Sequence, residues 1–133
     1  MVNQELECLR KLAKSWNNLD ISFIEKELAE DLIYESQWVL TPIEGKEKFL
    51  AYLNSKFTAI RAAMESQTTT VKAALAMHPS VQNRPCIVLT QNTSEGLRQV
   101  LMLIELQESK IKRIDVCFIP DPTKAELTGE FPK

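Results

Sequence analysis

Apolar residues in the first part of the chain recur every three or four positions. Leu6, Leu9, Ala13 and Trp16 share a stripe widened by Cys8 and Leu12, while Glu7, Arg10, Lys11 and Lys14 take the other side. That spacing predicts an amphipathic helix over residues 5–18, broken by Asn17-Asn18. A shorter helix is predicted over residues 22–29, with Ile24 and Leu28, and Phe23 or Ile21, on its buried side. Its cap is either the Ser22/Glu25 capping box or Asp20. The period then drops to two. Leu32, Tyr34, Ser36 and Trp38 alternate with Ile33, Glu35, Gln37 and Val39, which predicts a strand up to Leu40, ended by Pro42. Gly45 opens a third helix running to about Glu65, with Phe49, Leu53, Phe57, Ile60 and Met64 as one stripe and Tyr52 at its edge. Lys46, Glu47, Lys48, Lys56 and Arg61 keep its outer face wet.

From Thr68 onward the pattern is that of strands. Residues 68–77 are β-prone only at their start, because Ala73, Ala74 and Ala76 are weak strand formers. His78-Pro79 and Asn83-Arg84-Pro85 mark a loop. Strands are predicted over residues 86–91, 97–107 and 110–119, joined by turns at 92–96 and at Glu108-Ser109. Pro120, Pro122, Pro132 and Gly129 predict an irregular tail from Asp121. Three helices with one strand between the second and third, then an antiparallel meander, give an α+β order. A curved antiparallel sheet wrapped around the third helix would bury that helix's stripe and leave a conical cavity at one end. The sheet's other face would carry Leu101, Leu103, Cys117 and Ile119, an aliphatic surface suited to a second copy of the chain.

Composition narrows the function classes. At 133 residues the chain suits one domain over 1–133, and 44% hydrophobic with 26% charged residues is ordinary for a globular protein. A net charge of −2 offers no field for nucleic acid or anionic lipid. No apolar run approaches the roughly 20 residues of a membrane span, and the N-terminus has no apolar region of the kind a secretory signal needs. Cys8, Cys86 and Cys117 lack metal-ligand spacing, so they read as reduced, packed thiols of a cytoplasmic protein. A single histidine and scattered cysteines do not make a metal site, and no nucleotide or dinucleotide fingerprint is present, so neither metal nor cofactor is expected.

Candidate chemistry gathers where the cavity is expected. Tyr34, Ser36, Tyr52 and either Gln91 or Thr90 supply polar groups. Trp16, Trp38, Phe49 and Val100 form one part of the apolar wall, and Met102, Ile104, Ile114, Val116 and Phe118 the other. Such a set describes a small-molecule pocket or, equally, a filled core with two satisfied tyrosines. Asp115 lies between Ile114 and Val116 and faces outward if they face inward. A one-residue slip would turn it into the cavity as a general base with a pKa raised by desolvation, and Glu35 has the same ambiguity. His78 reads as a solvated loop residue.

The stretches LAKSWNNLD, LAEDLIYES, IEGKEKFLAYL and ESKIKRIDVCF, in this order, resemble the nuclear transport factor 2-like superfamily, which includes ketosteroid isomerase, scytalone dehydratase and polyketide cyclases. The resemblance spans the chain and implies a cystatin-like cone that dimerises through its open sheet face. It does not imply isomerase chemistry. The isomerase's aspartate base falls at Ser36, or at Glu35 with a slip, its tyrosine donor near Leu12, and its protonated aspartate near Leu101 or Met102. The His–Asp pair of the dehydratase and cyclase relatives has only His78 to draw on. The expected function is binding of a small apolar ligand by a homodimer without established catalysis. The alternatives are an isomerase, dehydratase or cyclase using Asp115 or Glu35, and a protein-interaction module.

Overall fold

A computed structural model describes residues 2–37, 39–66, 69–81, 84–119 and 121–133. Helix α1 (Val2–Asn18) buries Leu9, Leu12, Ala13 and Trp16 along its expected stripe. The second helical segment is two successive 3-10 turns, Ile21–Phe23 and Glu25–Glu27, rather than an α-helix. Asp20, not the Ser22/Glu25 box, caps it, its side chain accepting from the Ser22 N–H at 2.9 Å. Ile24 and Leu28 satisfy helical spacing, but they are the end of a turn and the first residue of a strand. The chain is already extended at Leu28, where β1 (Leu28–Ser36) begins.

Strand β2 (Val39–Glu44) folds back antiparallel on β1, with Tyr34 opposite Ile43. Pro42 therefore lies inside a strand instead of ending one. The position tolerates it because β2 is the edge of the sheet, where a missing N–H costs no ladder bond. Gly45, at φ 102°, makes the left-handed corner into α2 (Lys46–Glu65). Phe49, Leu53, Phe57 and Ile60 are buried along α2, and Met64 is 42% exposed at its end.

Strand β3 (Thr69–His78) runs ten residues in spite of its alanines. Ala73 and Ala76 are fully buried, and α1 packs across β3, so packing outweighs a weak propensity. Strands β4 (Arg84–Thr93), β5 (Gly96–Gln107) and β6 (Lys110–Cys117) form the meander. Glu108 and Ser109, at φ 52° and 69°, turn the β5–β6 corner. A short β7 (Glu126–Leu127) follows a 3-10 turn at Pro122–Lys124. The sheet order is β2-β1-β6-β5-β4-β3-β7, mixed because β1 and β6 run parallel while the other pairs are antiparallel. The fold is thus α+β, with three helical segments on a seven-stranded sheet.

The sheet has two unequal faces. The inner one holds the main core around α2 and α1, with Trp16 edge-on to Phe57 at 5.0 Å between centroids. The outer one carries a smaller cluster of Ala76, Cys86, Val88, Leu101 and Cys117. Much of the aliphatic face expected to be open is covered by the chain itself, since Ala125 packs on this cluster and Leu101 is fully buried. Ile119 stays 69% exposed.

The C-terminal segment is more ordered than its prolines suggest. The Leu75 N–H donates to the Glu130 carbonyl and the Thr128 N–H to the Leu75 carbonyl, both at 3.1 Å, so the segment closes the β3 edge. Asn17 completes the seal like a strand in miniature, its amide accepting from the Ala73 N–H at 2.7 Å and donating to the Ala73 carbonyl at 2.9 Å. A bidentate Arg10–Glu130 pair adds a surface anchor. His78 is buried at the end of β3 and is not the solvated loop residue expected. Its Nδ1 accepts from the Ser80 N–H at 3.1 Å, which leaves the proton on Nε2 to reach the Asp121 carbonyl at 2.8 Å. No helix among the described residues is long and apolar enough to cross a membrane.

Candidate functional site

Because side chains on a strand alternate, the register decides what faces the cone. Tyr34 is level with Ile114 and Ser36 with Val116 across the parallel β1–β6 pair, and Val116 is opposite Met102 on β5. Two rows along, Val100 faces Leu89 and Arg98 faces Gln91. Tyr52 and Lys56, one turn apart on α2, complete the opening. Six polar side chains (Tyr34, Ser36, Tyr52, Lys56, Gln91 and Arg98) thus meet one end of an apolar interior walled by Trp16, Leu89, Val100, Met102 and Val116.

The free space there is small. It amounts to about 30 Å³, the room of one water, against the ~300–1,000 Å³ of ordinary ligand pockets. The cone is therefore largely filled by its own side chains. Tyr34 is the most constrained of the polar groups, its ring 5.1 Å from Phe49 and 5.4 Å from Tyr52. Burial, then the neighbouring Tyr52 phenol, pushes the Tyr34 hydroxyl far above its usual range, so it stays a neutral donor. Lys56 holds its ammonium 5.8 Å from the Tyr52 ring centroid. Among the described residues no carboxylate, imidazole or thiol lines the space.

Of the expected cavity residues, Trp16, Tyr34, Ser36, Tyr52, Met102 and Val116 do come together around it. Phe49, Ile104 and Ile114 are buried behind them in the core. Phe118 is not a wall: β6 ends at Cys117, and Phe118 is 39% exposed, its N–H donating to Gln37 at 2.6 Å. Trp38 lies outside the described residues. Thr90 belongs to the outer face, where it accepts from Gln99 at 3.0 Å, so Gln91 is the one of that pair that reaches the opening.

The carboxylate candidates are on the wrong side of the sheet for chemistry in the cone. Asp115 is level with Glu35 on β1 and opposite Leu103 on β5, so both acids share the outer face. Arg113 binds both, its Nε 3.1 Å from each Asp115 oxygen and its Nη2 on Glu35. Hydrogen bonds donated to Glu35 and Asp115 hold that guanidinium charged, which makes the group a structural charge cluster. The thiols are equally removed. All three cysteines are buried, and burial, then the neighbouring Cys117, lifts the Cys86 thiol to about 11. No group of three His, Cys, Asp or Glu residues among the described ones is placed to hold a metal ion.

Two groups at the opening escape a reading of the sequence, Lys56 and Arg98. Lys56 sits four residues after Tyr52 on α2, which turns it toward the opening although it reads as part of the wet face. Arg98 is brought opposite Gln91 by a tight turn at Ser94-Glu95, a register that the pattern of residues 92–96 leaves open.

No family model matches the sequence, and no curated protein matches it significantly. Solved structures do. A candidate polyketide cyclase from Sinorhizobium meliloti superposes with a TM-score of 0.63 at 8% identity, over 87% of this chain and 98% of that one. A nuclear transport factor 2-like protein of unknown function from Cytophaga hutchinsonii gives 0.55 at 15% identity, over 92% and 94%. A SnoaL-like protein of unknown function from Burkholderia thailandensis gives 0.60 at 13% identity, over 86% and 92%. The fold is nuclear transport factor 2-like. At these identities the nuclear transport factor 2-like neighbours share architecture, and function has to be argued from the site.

Proposed function

We propose that the chain binds a small molecule at the open end of its cone, without established catalysis. The convergence of six polar side chains on one end of an apolar core carries this reading. A few polar groups gathered at the mouth of an apolar interior are what a small-molecule site presents. Binding is favoured over chemistry by a carboxylate or histidine base, because the lining has neither among the described residues and Glu35 and Asp115 point outward. The space of about 30 Å³ limits the buried end of the ligand to a few atoms unless the flexible Met102 gives way. A second copy, under this reading, would use the outer strip around Leu103 and Ile119 that the C-terminal segment leaves uncovered.

The small volume also favours one rival, a protein-interaction module whose cone is only core. Native mass spectrometry of the purified protein, followed by the same sample denatured, separates the two. A mass excess that disappears on denaturation is expected from a bound small molecule. Bare protein, with no candidate ligand raising the melting temperature, would leave the rival standing.

A further inference from the structure

We infer that the C-terminal segment, residues 121–133, is a strap that opens while the rest of the fold stays closed and so uncovers the apolar cluster on the outer face of the sheet. The device is separate from the cone and from whatever the cone binds.

Cys86 and Leu101 are fully buried and Ala76 is 1% exposed, on the face opposite α1 and α2. What lies over them among the described residues is the strap, since Ala125 packs on the cluster and the Pro122–Lys124 turn lies against β5. The strap is itself shallowly held. Pro122 is buried, Ala125, Phe131 and Pro132 are half-buried, and its other residues are exposed. Nor does it close-pack on the sheet. A cavity of about 290 Å³ lies between Pro122, Ala125 and Leu127 above and Ala74, Val88 and Gln99 beneath. Its anchors are polar and mostly peripheral. Two backbone bonds join it to Leu75, and the Arg10–Glu130 pair is nearly half-exposed on both sides. The deepest anchor is His78, whose Nε2–H reaches the Asp121 carbonyl at the strap's base. Little apolar burial and many exposed hydrogen bonds give a segment a low local opening free energy. Opening joins Val88 and Leu101 to the strip around Leu103 and Ile119, so the strap sets how much apolar surface the outer face offers.

The test is native-state labelling of the full chain with N-ethylmaleimide across low urea, the modified cysteine being identified by peptide mass. Circular dichroism gives the urea dependence of global unfolding. Cys86 should be modified at least about a hundredfold faster than global unfolding allows, and with a much shallower urea dependence, because strap opening exposes little surface. Amide exchange of Leu75, whose N–H the strap holds, should follow the same opening. His78→Leu should speed Cys86 modification about tenfold by leaving the strap's base unheld. Glu130→Gln, which touches only the surface pair, should speed it about two- to threefold. Cys86 modified only with the urea dependence of global unfolding would overturn the strap as a separate unit. So would a Leu75 amide protected to the global limit while Cys86 reacts, since the thiol would then be reached by another route. Unchanged rates in both variants would mean that neither contact holds the strap, and would overturn the latch.

Discussion

The two faces of the one sheet are built from neighbouring residues and have little else in common. On the inner face Tyr34, Ile114 and Val116 join a core that runs from α1 to α2, and six polar side chains gather at one end. On the outer face Glu35, Arg113 and Asp115 form a charge cluster beside a small apolar patch. Every one of these outer residues is adjacent in sequence to an inner one. A carboxylate in the cone and a carboxylate at the surface therefore differ by a single step of register. The parallel pairing of Glu35 with Asp115 sets that step, and it places both acids where they organise the surface.

Four variants break or sharpen this contrast. Phe57→Ala removes a buried ring that stacks edge-on with Trp16, and urea unfolding should show a loss of about 3–5 kcal/mol. Leu101→Ala empties the centre of the outer patch and should cost about 2 kcal/mol, less than the inner change because fewer elements collapse onto it. A loss as large as that of Phe57→Ala would mean that the two clusters act as one core.

The third variant reads the faces by pH. The folded state holds the Tyr34 phenol neutral, with its pKa raised above the unfolded value of about 10. Its contribution is therefore complete below about pH 10 and is lost as the pH climbs toward the folded value. Denaturation between about pH 8 and 11 should show wild type losing stability faster than Tyr34→Phe as the pH rises, and parallel curves would refute the buried phenol. The smallest effect is expected outside. Glu35→Gln with Asp115→Asn should change stability by no more than about 1 kcal/mol, since the cluster is half-exposed and screened. Occupancy of the opening, followed by the shifts of Tyr34, should not change at all.

Much of this was legible in the residues, and the failures have causes. The stripe of α2 and the alternation of β1 are long periodic signals, and both elements stand where their spacing puts them. The second helix was misread because four residues of helical spacing fit a turn followed by a strand equally well. Ala73 and Ala76 disguised β3, whose small side chains make sense only once Ala73 packs in the core with α1 and Ala76 in the outer cluster beneath Ala125. At the site, aromatic and hydroxyl groups could be placed by alternation alone. Lys56 and Arg98 could not, because their direction depends on helix phase and on a turn length, and charged residues read as solvent-facing in both elements.

The seal on the β3 edge has a consequence beyond the single chain. It is made by a terminal segment through two backbone bonds, the Asn17 clamp and the Arg10–Glu130 pair. The backbone bonds join the segment to the edge, the Arg10–Glu130 pair joins it to α1, and Asn17 ties α1 to β3. Within one chain the tether keeps the segment at a high effective concentration beside the edge, so an exchange of segments between copies would need a comparably high protein concentration. Dilution reverses such an exchange, whereas a bare edge, freed of its segment, would add neighbours without limit.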